Sequence, residues 1–358
     1  MEVVRRRRLP GKDLGRSGRA SACLLVAALA VVLVGCTGDE PDDAAPPVQR
    51  FARQIADAGG DRVIVFVSDD GREYEATAGR RRSAPDERFR IGSVTKTFTA
   101  AIVLQLVEER RLRLDDTVER HLPGVVPSGT EITIRQLLAH RSGLANITDF
   151  PAWLDQVSRS PTTRPVDTLR YAASQPMAFA PGAEWGYSNT NYIALGLVIE
   201  KVTGETYRQQ LEKRILEPLE LDDTELPRAR RVEGLDDLGE NPDVPWAAGA
   251  LVSTTRDLAR FFSALLSGDV VSESSLATMK ERTVVDPGTG FASGHGIFSN
   301  DLSCGRAWGH DGGILDYATL VRATEDGERV AVVSVHGDAP TGEPPDESTL
   351  LCPPAASP

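Results

Sequence analysis

The stretch Ile91-Gly92-Ser93-Val94-Thr95-Lys96 leads into Thr97-Phe-Thr-Ala-Ala-Ile-Val-Leu-Gln-Leu-Val107. From Phe98 onward this run is apolar on nearly every side, which predicts a helix buried all round. Arg110, Arg111 and Arg113 follow it and suit a helix C-terminus. A buried helix is a rigid mount. Ser93 stands at its N-terminal edge, where backbone N–H groups lack partners and the helix dipole favours negative charge. Lys96 lies three residues on and shares a face with Ser93. A serine hydroxyl is a weak nucleophile until its proton is taken, and a lysine partly removed from water can assist. The tetrapeptide alone carries little. A chain of this length holds about one Ser-x-x-Lys by chance, and a serine at a helix start is often only a cap. Here it is the single Ser-x-x-Lys in a chain with five lysines, and two further motifs follow it in order.

The second is Phe179-Ala-Pro-Gly-Ala-Glu-Trp185-Gly-Tyr187-Ser188-Asn189, before an apolar run from Thr190. Pro181-Gly182 makes a turn, so Tyr187 and Asn189 sit on a loop at a helix start. A phenol near two cations would have its pKa lowered and could serve as general base toward a serine. The Asn189 amide could hold a substrate carbonyl or the lysine. The third is Trp308-Gly309-His310-Asp311-Gly312-Gly313, at the edge of a predicted strand. Its glycines permit close approach of a ligand to the backbone. Each of these, taken singly, reads more simply as a capped loop or a glycine-rich turn.

Together the three resemble the motifs of the serine β-lactamase and D-alanyl-D-alanine peptidase superfamily, in its class C-like branch. That branch has Ser-x-x-Lys, Tyr-x-Asn and either Lys-Thr-Gly or His-x-Gly. The resemblance extends through Leu137-Leu-Ala-His-Arg-Ser-Gly-Leu144, Tyr187-Ser-Asn-Thr-Asn-Tyr192, Ala248-Gly-Ala-Leu-Val-Ser-Thr254 and Asp257-Leu-Ala-Arg-Phe261. It implies an α+β fold, an antiparallel sheet flanked by terminal helices with an inserted, mainly helical domain. It also implies roles. Ser93 would be the nucleophile and form an acyl-enzyme. Lys96 would keep Ser93 and Tyr187 in a proton network. Tyr187 would be general base and then acid. Asn189 would bind the substrate amide, and His310 would occupy a cation position. The N–H groups of Ser93 and Gly313, beside Gly312, would form the oxyanion hole. No metal or organic cofactor is implied. The substrates would be a peptidoglycan-type peptide, a β-lactam, or a small ester or amide. A fold retained as a non-catalytic lipoprotein binding module is the alternative of another class.

The sequence departs from the family pattern in places. Asp311 stands where many members carry Thr, Gly313 replaces a residue with a side chain, and Asp316-Tyr317 replaces a Gly-aromatic pair. If Asp311 faced the cleft it would repel an anion, so substrates lacking a carboxylate would be favoured; if it pointed away or paired with an arginine, ordinary carboxypeptidase activity would remain. After His336 only 22 residues remain, leaving a stub over Asp346 to Cys352 in place of a long terminal helix.

Before the motif region, Arg5 to Arg8, Lys12, Arg16 and Arg19 precede an apolar stretch, Ala22 to Val34. That is too short for a comfortable membrane span and reads as a signal peptide, residues 1–35. Leu33-Val34-Gly35-Cys36 resembles a bacterial lipoprotein cleavage box, which would make Cys36 the lipidated N-terminus of a monomeric, extracytoplasmic, membrane-anchored protein. The leader carries seven basic and two acidic residues, so its removal takes the formal charge from −12 to −17. So acidic a chain argues against a nucleic-acid partner. Residues 36–47 read as a tether rich in Asp and Pro. Cys304 and Cys352 are left for an oxidising compartment, where a disulfide is the natural reading and two free thiols the alternative.

An apolar fraction of 41% over 358 residues allows one large domain or two that pack together. Val48 to Ala58 predicts a helix, and Arg62 to Val67 with Glu73 to Ala78 a hairpin. Helices are expected over Ile132 to Ala139, Thr190 to Val202, Tyr207 to Ile215 and, capped by Ser253 or Thr254, Arg256 to Leu266. Leu221 to Val244 should be a long surface loop. Strands return at Arg306 to Gly309, Tyr317 to Ala323 and Arg329 to His336. The organisation expected is an α/β domain from residues 48–95 and 283–358, a helical domain from 96–282, and an active site between them.

Overall fold

In the computed structural model the described residues are 47–84, 86–158, 160, 162–228, 241–286, 288–337 and 345–352. The expected leader, the expected lipid site at Cys36 and the expected tether as far as residue 46 lie outside them. Helix α1 begins at Pro47 and runs to Asp57. It buries Val48, Phe51, Ala52 and Ile55, a spacing that makes one helical stripe.

That stripe covers one face of an antiparallel sheet of eight strands. In chain order these are β1 (Arg62–Asp69), β2 (Arg72–Ala78), β3 (Val284–Val285), β4 (Ala292–Ser293), β5 (Phe298–Leu302), β6 (Gly305–Ile314), β7 (Tyr317–Ala323) and β8 (Arg329–His336). Their spatial order is β2-β1-β8-β7-β6-β5-β4-β3, so the last strand pairs with the first. Side chains alternate across the pleat. Val63, Val65 and Val67 of β1, with Ala331, Val333 and Val335 of β8, face α1. Phe66, Val330 and Val332 face the helices on the other side.

Those helices are built as the sequence suggests. α2 (Thr95–Glu108) follows a 3₁₀ turn over Gly92–Val94. Every residue from Thr95 to Leu104 is buried, so no face of that part reaches water; only the last turn, to Glu108, does. α3 (Asn189–Thr203) ends where Gly204 turns left-handed at φ 75°. α4 (Thr255–Ser267) is capped by Thr254, whose hydroxyl accepts from the Asp257 N–H, and stops at Gly268. Phe98 of α2 stacks on Phe261 of α4 with ring centroids 3.7 Å apart, tying the motif helix to the layer over the sheet.

Three expectations need correction. Tyr207 to Ile215 is α-helical only to Leu211 and continues as a π-helical turn, Glu212–Leu216. Of the loop predicted over Leu221 to Val244, residues 229–240 lie outside the described ones, and the described flanks are anchored by buried residues although Asp222, Asp223 and Arg228 are exposed. Leu221, Leu226 and Val244 are buried, and Glu225 bridges to Val252. Hydrophobic anchors spaced too irregularly to show a period hold both ends of that stretch. Third, β6 extends to Ile314, so the Trp308 to Gly313 motif lies inside a strand and not at its edge. A short helix, α5 (Ser348–Leu351), packs beside α1, and a disulfide joins Cys304 to Cys352 with Cα atoms 5.5 Å apart.

Candidate active site

The site forms where the 3₁₀ turn before α2, the loop before α3 and strand β6 converge. Ser93 lies within that turn. Tyr187 Oη donates to Ser93 Oγ at 2.7 Å, and Lys96 Nζ lies 3.0 Å from the same oxygen. Lys96 Nζ also donates to Asn189 Oδ1 at 2.7 Å and to the Ala248 carbonyl at 2.6 Å. Residues 93 apart in sequence are thus joined through one amine.

Lys96 is fully buried, and burial pushes its ammonium pKa well below the usual lysine value. The three contacts fit a neutral amine. Two partners are acceptors and take its N–H groups. The third is a hydroxyl, which can donate to the amine lone pair.

Tyr187 does not behave as its sequence surroundings suggested. Burial raises its phenol pKa; the hydrogen bond to Ser93 opposes this, and the charge of Asp311 adds to the rise. Neither expected cation is charged here: Lys96 is held as the amine, and His310 is not protonated. His310 is buried against Phe298, with ring centroids 4.2 Å apart, and burial pushes its pKa down to about 3. It is a neutral imidazole at physiological pH, with Nδ1 2.6 Å from the Asp311 carbonyl.

Asp311 faces away from Ser93. Strand alternation sends His310 toward the helices and Asp311 to the opposite face. There Asp311 Oδ1 meets Arg322 Nη1 at 2.6 Å, and Glu347 Oε2 lies 2.8 Å from Arg322 Nε. The carboxylate is neutralised by a buried arginine outside the cleft, which removes the repulsion expected from Asp311.

Gly312 and Gly313 are required by close approach. A Cβ on Gly312 would overlap the Ile91 carbonyl, and one on Gly92, at φ +50°, would come 2.8 Å from Gly313 N. Ile314 pairs with Tyr317 across a two-residue turn. The pair closing such a turn exchanges both hydrogen bonds, and bonded pairs then alternate along the ladder. Gly312 with Thr319 is therefore a bonded pair, and Gly313 directs its N–H away from β7, on the side of the Ser93 turn.

Several contributors carry no signal in the sequence. Asn146 Oδ1 accepts from the Asn189 backbone N–H at 3.0 Å and from Asn189 Nδ2 at 3.1 Å, which turns Asn189 Oδ1 toward Lys96. The Ala248 carbonyl is main chain. His140 accepts from the Ser188 N–H at 3.1 Å and lies against the Tyr187 ring, centroids 4.5 Å apart. It fixes the loop that presents Tyr187.

A cleft of about 310 Å³ opens beside Ser93, Asn189 and Gly313. Among the described residues, none that lines it is charged.

The family model described as Beta-lactamase matches residues 48–351. The structure is similar to a D-stereospecific amidohydrolase from Streptomyces sp., with TM-score 0.79 and 35% identity, over 84% of this chain and 98% of that one. It is also similar to a D-amino acid amidase from Ochrobactrum anthropi, with TM-score 0.72 and 26% identity, over 85% and 93% of the two chains. In sequence it is 29% identical to Penicillin-binding protein 4* of Bacillus subtilis over 75% of this chain and 64% of that protein. The chain spans about a third to two thirds of the length of the curated relatives it matches.

Proposed function

The chain belongs to the Beta-lactamase family, and from that premise we propose that it is a serine hydrolase that cleaves uncharged amides or esters through an acyl-enzyme on Ser93. The observation that carries this reading is the three-way contact of Ser93 Oγ with Lys96 and Tyr187.

Neutral Lys96 takes the Ser93 proton as Oγ attacks the carbonyl carbon. Negative charge gathers on the carbonyl oxygen, where the N–H groups of Ser93 and Gly313 receive it. The Tyr187 hydroxyl, kept protonated by burial, donates to the departing nitrogen or oxygen, and the Lys96 ammonium then restores the phenol proton. Water repeats the sequence on the acyl-enzyme. Asn189, oriented by Asn146, holds the amine of Lys96 in place. The assembled network argues against a fold kept only for binding.

The choice of substrate follows from charge. A penicillin or a peptide ending in D-Ala-D-Ala brings a carboxylate, and no described lining residue offers it a cation. Losing one charge-assisted hydrogen bond costs about 1.5–3 kcal/mol, roughly 10–100-fold in rate. An N-acetyl-D-amino acid amide, which carries no charge, should therefore have a kcat/KM about tenfold or more above that of an N-acetylated D-Ala-D-Ala peptide. Mass spectrometry of the peptide containing Ser93 should show the matching acyl adduct. Equal or better turnover of the peptide would refute the uncharged-substrate reading.

The proposal includes a monomer held at a membrane by lipid on Cys36. Stable anchoring takes more than one acyl chain. Cys36→Ser should free the protein or leave it unprocessed. Wild-type protein that is soluble and starts at another residue would refute the anchor.

A further inference from the structure

The cleft beside Ser93 is one-sided. Ile147, Leu154, Ile193, Val244, Ile314 and Leu315 supply its large apolar side chains, while Tyr187 and His310 do not line it. Given the role proposed above for Tyr187, the leaving group departs on the Tyr187 side. The cavity therefore lies on the other side of the scissile bond, where the acyl part must sit.

Leu315 is the unusual member. It caps the turn between β6 and β7 at φ +50°, a conformation that costs a branched side chain and suits glycine. It is also 66% exposed, so no burial in the protein repays that cost. A strained, exposed apolar residue at the mouth of an apolar cavity, two positions from the oxyanion donor Gly313, has its partner in a bound ligand.

The geometry points to a binding pocket for the acyl side chain, selecting a large apolar group next to the scissile carbonyl, branched aliphatic or aromatic, with Leu315 closing over it. This rests on the hydrolase reading and adds to it the class of acyl donor. A methyl group would leave most of the 310 Å³ unfilled. Each methylene placed in such a pocket raises discrimination, and tenfold per group is ordinary.

Three uncharged 4-nitrophenyl esters with acetyl, isovaleryl and phenylacetyl groups test this. Wild-type kcat/KM, corrected for spontaneous hydrolysis, should rise about tenfold or more from acetyl to the larger two. Leu315→Gly removes the clamp and relieves the backbone, so Tm should hold or rise while the phenylacetyl-to-acetyl ratio falls by about tenfold. A wild-type ratio near one overturns the acyl pocket. A ratio unchanged in the folded Leu315→Gly variant overturns the role of Leu315. No turnover of any ester, with no labelling of Ser93 by a fluorophosphonate, overturns the hydrolase reading and this inference with it.

Discussion

Ser93→Ala should lower kcat on any amide or ester by about 10⁶-fold, the loss expected when a nucleophile held in a working network is removed. The fold should persist. Ser93 lies in a 3₁₀ turn and makes no capping bond, and Lys96 keeps two of its three contacts through Asn189 and Ala248. Tyr187 Oη loses its acceptor, a cost of about 1–3 kcal/mol for a buried donor. A fluorophosphonate should label wild-type protein on the peptide holding Ser93 and leave the variant unmodified. Turnover above one hundredth of wild type in a purified variant would show that another group attacks.

Lys96→Met should cost about 10²–10⁴-fold in kcat, the usual span for a positioned acid–base group. The pH profile identifies its role more sharply. Only the neutral amine can accept the Ser93 proton. kcat/KM should be low in acid and climb as pH passes through the folded-state pKa of Lys96, which burial holds well below 10.5. His310 does not supply this limb, since its pKa lies near 3. Stability shares the same cause. Between the folded-state pKa and 10.5 the unfolded lysine binds a proton that the buried one does not. The contribution of Lys96 to stability thus rises with pH across that window. The Met variant should lose the limb and flatten this part of the stability profile. An acid limb unchanged in residual Lys96→Met activity would assign the base elsewhere.

Much of this site is legible in the sequence because its parts are local. Ser93 and Lys96 are one helical turn apart, and Tyr187 and Asn189 flank one loop. The apolar run from Phe98 fixes a buried mount whatever surrounds it. What is not legible depends on long-range burial and on strand parity. The phenol of Tyr187 looks like a base beside cations, yet desolvation outweighs charge once the loop is packed against His140. His310 looks titratable and is instead sealed behind Phe298. The direction of Asp311 follows from alternation with Trp308 and His310, but only once the motif is placed inside β6. Asn146 and the Ala248 carbonyl act through hydrogen bonds that no residue pattern marks.

The order of strands also sets the order of events at synthesis. β1 has β2 on one side and β8 on the other, and Arg62 on β1 touches His336 on β8, 274 positions later. A chain leaving the ribosome can form the first hairpin early, but its second flank stays open until residue 336 has emerged. Contacts so far apart in sequence make loop closure slow. Until then β1 lacks one of its two neighbours, so the centre of the sheet closes late, although α1, which precedes β1, can cover the first hairpin as soon as that hairpin forms.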